Sequence, residues 1–294
     1  MKYNISVGYS NLLKKYKKLL INKTNYLELY LDPDQYYKNY DEVKYYKNIN
    51  LLFNYIPNLT DNLKNYKKYI KIAKDIEPQI ITVGSYILGK ILVEEGFKVE
   101  ASIILNVDNI EKISELKRIG FYGYALSSYK IYDFDLIKES KKYFPDLRVK
   151  IIANMMCPTC IYYSERHTLL YLDKSAALAN TLINNLTKCK KNILKTSIVW
   201  PSIADKWLDV DIFKFASRRD RIEVWESIKN FVEEDDYNYV YNMAAYFLKD
   251  SNLYNSKKDL KEVVDFFFKH KKLCDFNCFK CPYNCNKKWT TFLK

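Results

Sequence analysis

Four cysteines close to the C-terminal end carry the strongest chemical signal in the sequence. Cys274, Cys278, Cys281 and Cys285 follow the pattern C-x3-C-x2-C-x3-C within twelve residues. Thiolates at this spacing let the backbone wrap around one compact ion or cluster, and they suit iron–sulfur and zinc centres alike. A structural zinc site more often pairs two C-x2-C units across a loop, so the contiguous run favours a [4Fe–4S] cluster over zinc or unligated thiols.

Cys157 and Cys160 form a second cysteine pair, which directly follows a predicted strand. The loops after the strands build the functional face of a parallel barrel, so both thiols are expected there. The C-terminal cysteines are expected to fold over this face, and the six thiols exceed the four that one cluster needs. His167 is either a proton carrier or ligand beside them, or a helix-start residue bonded to its own turn. A nucleophilic pair of His167 with one cysteine is an alternative, whereas Cys189 and His270 are expected to play no part.

Three charged residues at predicted strands complete the set of candidates. Glu28 lies on the predicted first strand, and Lys214 and Arg218 lie at the predicted eighth. A charged residue inside a barrel needs a partner, and the eighth strand closes against the first. A structural salt bridge between Glu28 and Lys214 is therefore favoured over catalysis. Arg218 opens a basic run where barrels often bind phosphate, although such a run also suits a solvated helix start.

The elements that must position these residues alternate between short apolar runs and longer amphipathic ones, which is typical of parallel βαβ units. Eight strands with intervening helices in about 230 residues match the size of an α/β protein of the (β/α)8 TIM-like barrel type. The sequence has no Gly-rich dinucleotide fingerprint or P-loop, which disfavours an open doubly wound sheet. The predicted strands are Tyr26–Asp32, Leu51–Tyr55, Gln79–Gly84, Val99–Leu105, Tyr122–Ser127, Arg148–Asn154, Thr196–Trp200 and Ile212–Ser217.

Helices are predicted between and after these strands, with glycines and capping residues at their ends. Gly96 and Gly120 end two helices, and Asp61, Asn109 and Asp133 are expected N-caps. The predicted helices are Asp34–Lys47, Asp61–Ile76, Ser85–Glu95, Asn109–Ile119, Asp133–Tyr143, Ser164–Leu186, Ser202–Leu208, Ile222–Glu234, Tyr239–Leu248 and Lys258–Lys271.

The chain of 294 residues, 48% of them hydrophobic, is long enough to bury a substantial core. A barrel is predicted over residues 1–235. A helical, cysteine-rich appendage is predicted at 236–294, too short to build its own core without a metal. No apolar run approaches the ~18 residues of a membrane helix, and the N-terminus lacks a secretion signal. The protein is therefore expected in the cytoplasm, where cysteines bind metals or catalyse rather than form disulfides.

The formal charge of +13 at pH 7 favours an acidic partner such as RNA or a phosphorylated substrate. Lysine, asparagine, isoleucine and tyrosine are frequent throughout the chain, as an AT-rich genome would also produce. Nucleic-acid contact is therefore one of two interpretations of the charge, and no membrane partner is expected.

Five segments together resemble peptidase family U32, the collagenase-like peptidase group. The segment Asn154–His167 is similar to the family's cysteine-containing stretch after a barrel strand. Trp200–Ala204 and Phe213–Arg218 are similar to its R-P-x-D-L and F-K-I-x-G-R stretches, and Glu28–Tyr30 is similar to its E-V-Y segment. The tail Cys274–Cys285 resembles the cysteine-rich end of some members.

The resemblance implies a TIM-like barrel and an iron–sulfur cluster. From their positions at predicted strands and loops, His167, Lys214, Arg218 and Glu28 are the candidate catalytic residues of the pocket. Family members include collagen-degrading peptidases and cluster-dependent hydroxylation proteins that act on RNA bases or a quinone precursor. Three functions follow: a cluster-dependent enzyme that modifies RNA or a small substrate, a peptidase with a cysteine or metal-bound water as nucleophile, and a non-catalytic nucleic-acid-binding protein. The resemblance also suggests a protein partner of the same family.

Overall fold

The computed structural model describes residues 5–8, 24–30, 49–54, 63–155, 197–215, 222–239, 241–242 and 260–271, with the backbone alone at 5–8, 24–30, 49, 63–65, 260 and 271. Eight parallel strands form a closed barrel within these residues. They are β1 (Ile5–Gly8), β2 (Thr24–Tyr30), β3 (Ile49–Phe53), β4 (Ile80–Val83), β5 (Val99–Ala101), β6 (Gly123–Ala125), β7 (Arg148–Ile152) and β10 (Ile212–Phe215). Each strand pairs with its neighbour along the chain, and β10 closes the barrel between β7 and β1.

The predicted α/β class with a parallel TIM-like barrel is confirmed, but two strand assignments are wrong. The first barrel strand is β1, a four-residue run that the sequence pattern did not single out. The predicted strand Thr196–Trp200 lies outside the barrel, where β9 (Ser197–Ile198) pairs antiparallel with β8 (Asn154–Met155). A short buried apolar run has the same pattern in either sheet, so hydrophobicity alone could not separate the two cases.

Helices cover the outside of the barrel and mostly begin and end where the caps predict. Asn109 and Asp133 cap α3 (Ile110–Ile119) and α4 (Phe134–Tyr143) by accepting hydrogen bonds from backbone N–H groups three residues later, at 2.9 and 3.1 Å. Gly120 ends α3 with φ +98°, a conformation that glycine adopts at little cost. The described helices are α1 (Leu63–Ile76), α2 (Tyr86–Glu94), α3 (Ile110–Ile119), α4 (Phe134–Tyr143), α5 (Ile222–Val232) and α6 (Leu260–Lys271).

The remaining helix predictions have mixed outcomes. The predicted helix Ser202–Leu208 is a 3-10 helix at Pro201–Lys206. The predicted helices Asp34–Lys47 and Ser164–Leu186 lie outside the described residues, as does the expected cap Asp61. In the described part of the chain, no helix combines the length and the apolar character needed to cross a bilayer.

Alternate residues along the strands divide the core into two layers. Outward side chains pack on the helices; Phe213 and Phe215 of β10 lie with their ring centroids 5.6 and 5.0 Å from that of Phe231 on α5. The intervening positions of β5 and β7 carry Glu100 and Lys150, which contact each other instead. The outer layer is therefore apolar, and the barrel interior contains charged side chains.

An aromatic cluster attaches helix α6 to the outer layer. Phe267 is 1% exposed, and its ring centroid lies 5.6 Å from that of Tyr132 and 5.7 Å from that of Trp200. The hydroxyl of Tyr132 donates to the carbonyl of Ile198 in β9 at 2.5 Å. The cysteine-rich tail that follows α6 lies outside the described residues, and the boundary between residues 235 and 236 stays a prediction.

Candidate active site in the barrel

A buried ion triad lies inside the barrel. Glu100 of β5 accepts from Arg148 (Nε–Oε1 2.5 Å) and from Lys150 (Nζ–Oε2 2.6 Å), both on β7. The register explains the contact, because Glu100 pairs with Gly123 of β6 and Gly123 pairs with Arg148. A Cβ at Gly123 would lie 2.5 Å from the carbonyl oxygen of Arg148 and 2.8 Å from its Cβ. The absence of a side chain at Gly123 therefore allows β6 and β7 to pack closely beneath the triad.

Burial and the neighbouring charges shift the pKa of Glu100 in opposite directions. The side chains of Glu100 and Lys150 are each 1% exposed. Burial by itself raises the pKa of the carboxyl group, but the combined charges of Lys150 and Arg148 outweigh it and hold the pKa of Glu100 below its ordinary value. Glu100 is therefore ionised at neutral pH, and the hydroxyl of Thr82 approaches one of its oxygens at 3.5 Å.

Asn50 of β3 adds an amide with spare hydrogen-bonding capacity. It is 0% exposed, and neither Oδ1 nor Nδ2 has a hydrogen-bond partner among the described residues. A buried polar group in this state costs about 1–3 kcal/mol unless a bound molecule or water satisfies it. The backbone of Asn50 pairs in register with that of Glu28, so the two positions are neighbours in the sheet.

Polar side chains follow the carboxyl ends of β3, β5 and β6. Ser102, after β5, donates to Oδ1 of Asn54, after β3, at 2.7 Å. Ser127, after β6, donates to Oδ1 of Asn106 at 2.5 Å. Asn106 has a positive φ of 49°, which asparagine tolerates better than most residues do. These hydrogen bonds hold two amide groups in fixed orientations at the end of the barrel where parallel barrels carry their sites.

Ser128 extends this polar end. It is 2% exposed, and within the described part of the chain its hydroxyl has no hydrogen-bond partner. The neighbouring Tyr129 donates to Asp108, which also forms an ion pair with Lys112 at 3.0 Å. Amide and hydroxyl groups are the neutral donors and acceptors that recognise polar rings such as nucleobases. The chemistry of this end therefore suits recognition of such a ring.

A hydrogen-bond network holds the chain where it leaves β7. The carbonyl of Ala153 accepts from the backbone N–H of Val199 at 2.8 Å and from the hydroxyl of Tyr239 at 3.0 Å. Strand β8 follows at once and ends at Met155. The structure therefore fixes the starting point of the segment that carries Cys157, Cys160 and His167, although those residues lie outside the described part.

Of the predicted catalytic residues, Lys214 alone has a described side chain. It is half-buried on β10, and its backbone pairs with Ser6 of β1 and Ile152 of β7. The predicted closure of its strand against the Glu28 strand is wrong, because β1 lies between β10 and β2. The predicted site residues outside the described part are His167, Arg218, Cys157, Cys160, Cys274, Cys278, Cys281 and Cys285.

No metal site can be traced in the described residues. They contain no group of three or more histidine, cysteine, aspartate or glutamate side chains that could hold an ion, and all seven cysteines lie outside them. His270 on α6 stacks on Phe266 with ring centroids 3.8 Å apart, and its Nδ1 lies 2.7 Å from the carbonyl oxygen of that residue. Both contacts are local to α6, and the expectation that His270 plays no part in the site stays a prediction.

The ion triad and Asn50 were not among the residues predicted for the site. The signal for the triad is nevertheless visible in the sequence: Val99–Ala101 and Arg148–Lys150 alternate charged and apolar residues inside predicted strands. Since successive strand residues point to opposite faces, a charged residue at every second position predicts a polar barrel interior.

Comparison with known proteins supports the fold. No protein-family model matches the sequence, and no curated protein matches it either. A solved structure of a U32 peptidase is similar to 73% of this chain and 93% of that chain, with a TM-score of 0.50 and 11% sequence identity. A proposed fructose-1,6-biphosphate aldolase from Coccidioides immitis is similar over 88% of this chain and 92% of that chain, with a TM-score of 0.41 and 11% identity. This second similarity is too weak to support any conclusion. At 11% identity, the similarity to the U32 peptidase shows the fold alone. The chain therefore resembles the U32 peptidase in fold, as the motifs predicted.

Proposed function

We propose that this protein is an enzyme that binds a polar ring, an RNA base or a small aromatic molecule, at the carboxyl end of its barrel and modifies it with the help of a [4Fe–4S] cluster. The observation that carries the proposal is the polar carboxyl end, where the amide oxygens of Asn54 and Asn106 are fixed and the buried hydroxyl of Ser128 has spare capacity. Such groups can pair with the donors and acceptors of a ring edge.

The cysteines supply the donor set that a cluster requires, because iron–sulfur clusters are held by thiolates. Cys157, Cys160 and two or more of Cys274, Cys278, Cys281 and Cys285 would hold it. Cys157 follows Met155 by two residues, so chain connectivity limits the separation of their Cα atoms to about 7.6 Å. When bound, the cluster would supply one-electron transfer close to the carboxyl end of the barrel.

The ion triad would contribute fixed charge from inside the barrel. The ionised carboxylate of Glu100 holds Arg148 and Lys150 at hydrogen-bond distance, so these cations need no rearrangement when a substrate binds. Preorganised charges stabilise the charge that develops on a ring during its modification better than mobile water does. The triad is thereby assigned an electrostatic role, and recognition is assigned to the serine and asparagine side chains.

Nucleoside analysis tests the proposal. Total RNA from a strain that lacks this protein would be incubated anaerobically with the purified protein, in one series with a reductant and in a second with an electron acceptor. Its nucleosides would then be compared by mass spectrometry. We expect a mass change in one nucleoside, which is lost in Cys157→Ser/Cys160→Ser and reduced in Ser128→Ala. Ser114→Ala, at an exposed position of α3, is the matched control and should behave as wild type.

An unchanged nucleoside profile would argue against RNA as the substrate and direct the same assay to small-molecule extracts. Activity that survives replacement of all six cysteines by serine would contradict the proposed role of the cluster. Ser128→Ala should leave the urea midpoint of unfolding unchanged, because its hydroxyl has no partner within the described structure. A loss of activity with unchanged stability would separate recognition from folding.

Peptide hydrolysis is the second candidate, because the solved structure with a similar barrel is named as a peptidase. Casein or gelatin would be cleaved by the wild-type protein and spared by Cys157→Ser if a cysteine were the nucleophile. Such a result would replace the redox proposal. RNA binding with a steep salt dependence and no chemical change would instead favour the non-catalytic function.

A further inference from the structure

Helix α1 presents lysines along the whole of its solvent side. Tyr66, Tyr69, Ile72 and Ala73 face the core and are buried. The opposite side contains the exposed residues Lys67, Lys68, Lys71 and Lys74, which we call the lysine face. Their spacing of three and four residues places them in one stripe, and Lys67 and Lys74 are about 10 Å apart along the helix axis.

The composition of α1 sets it apart from the other described helices. It contains five lysines and one acidic residue, Asp75. In α2 to α6 the basic residues outnumber the acidic ones by at most one. Those helices interleave the two signs and form pairs such as Lys90–Glu94 on α2 and Glu115–Arg118 on α3. A biased residue composition acts on every helix, so it does not explain why lysines outnumber acidic residues by four in α1 alone among the described helices.

The lysine face suits a polyanion rather than a membrane. A helix that lies on a bilayer needs exposed apolar side chains beside its basic residues. The solvent side of α1 has none: between Tyr66 and Asp75, every residue that is exposed is a lysine. Lysine acts as a point charge that binds phosphate without reading sequence, so the expected ligand is a phosphodiester backbone.

The position of α1 connects this surface to the barrel. The helix follows β3 and precedes β4, so its first turns lie towards the carboxyl end and its last turns towards the opposite end. Lys74, in the last turn, pairs with Glu95 at 2.6 Å. Glu95 and Asp75 therefore reduce the net positive charge of the last turn, which is the part of α1 farthest from the candidate site.

We propose that RNA docks with its phosphates on the lysine face of α1. A narrow stripe of about 10 Å fits one run of phosphates, as single-stranded RNA and RNA loops present it, whereas a duplex presents two strands. The proposal deepens the proposed function by naming a docking surface for an RNA substrate. Its test does not depend on the cysteines, so it could fail while the cluster proposal stands, and the reverse also holds.

The test measures binding of a fluorescein-labelled, mixed-sequence 20-nucleotide RNA by anisotropy across a salt series. Each lost phosphate contact lowers the slope of log affinity against log salt by about 0.7 and the affinity at 0.1 M salt by about fivefold. Lys67→Gln/Lys71→Gln should therefore weaken binding about 25-fold and reduce the slope by about 1.4. Glutamine matches lysine in helix propensity, so the fold should be preserved.

Lys138→Gln/Lys142→Gln on α4 is the matched control, because it removes the same charge from two exposed lysines of a helix that also contains Asp135 and Glu139. We expect a loss of less than threefold for this pair. An equal loss for both pairs would overturn the proposal in favour of general charge attraction. Absence of RNA binding would also overturn it, as would equal affinity for duplex DNA of the same length or binding to anionic phospholipid vesicles alone.

Discussion

Glu100 is the residue on which the polar interior of the barrel depends. It is the carboxylate that both Arg148 and Lys150 contact, and the two bonds are 2.5 and 2.6 Å long. Taking three charged groups out of water opposes folding, and their mutual attraction offsets much of this effect only while all three are present. A triad of this kind contributes less to net stability than to fixing where its charges lie.

Glu100→Gln should therefore destabilise the protein strongly. The variant keeps the shape of the side chain but leaves two buried cations without their shared carboxylate, which we expect to lower the free energy of unfolding by about 3–5 kcal/mol. Urea denaturation measures the change. Glu115→Gln, which removes an exposed glutamate paired with Arg118 on α3, should leave the midpoint unchanged. Equal behaviour of the two variants would contradict the role given to the triad.

The stability contributed by Glu100 should also depend on pH. Its pKa is lowered on folding, so its contribution is complete above the pKa of the unfolded chain, about 4.3, and is lost as the pH falls through the lower folded value. The difference in urea midpoint between wild type and Glu100→Gln should thus be constant above about pH 5 and shrink below it. A difference that stays constant down to pH 3 would contradict the lowered pKa.

Helix ends were the elements most accessible to prediction. Asn109, Asp133 and Gly120 mark them because a cap is decided by the few residues around it. Contacts between elements were not accessible in the same way. Gly89, in the middle of α2, looks like a helix defect in the sequence, yet an added Cβ would lie 2.2 Å from Cζ of Phe121. A glycine is needed at this position because of Phe121, which is distant in sequence, so the local sequence pattern cannot reveal the requirement.

Gly89→Ala should consequently destabilise the protein by about 1–3 kcal/mol through overpacking, although alanine is favoured over glycine in a helix by about 1 kcal/mol. The buried ring of Phe121 has little room to move away. The control is the same substitution in a Phe121→Leu background, where its cost should shrink or change sign. Stabilisation by Gly89→Ala in the wild-type background would show that the helix does not pack as described.

The sequence was sufficient to predict the fold class of the barrel, but not which segments form its strands. Alternating apolar runs and amphipathic helices indicated eight parallel strands, because that alternation belongs to the architecture itself. The prediction omitted the short strand β1 and assigned Thr196–Trp200, which contains β9, to the barrel. A short apolar run does not reveal which strand it pairs with. Because β1 was omitted, the prediction placed Lys214 next to the Glu28 strand, whereas β1 lies between the two strands. Charged residues inside the barrel, by contrast, were predictable in kind from period-two alternation, although their partners were not.

Helix α6 links the barrel to the cysteine tail, because it ends three residues before Cys274. Phe267→Ala should lower the free energy of unfolding by about 3–5 kcal/mol, since the ring packs between Tyr132 and Trp200. If tail cysteines hold the cluster, the variant should also retain less iron after gel filtration. Lys269→Ala, an exposed change on the same helix, should alter neither quantity.

The metal and sulfide content of the anaerobically purified protein tests the central proposal most directly. A cluster-dependent enzyme should be brown and contain about four iron and four acid-labile sulfide per chain. It should lose both when Cys157 and Cys160 are changed to serine, and keep them in Cys189→Ser. A colourless protein with about one zinc per chain and no sulfide would contradict the proposal and leave the cysteines a structural role.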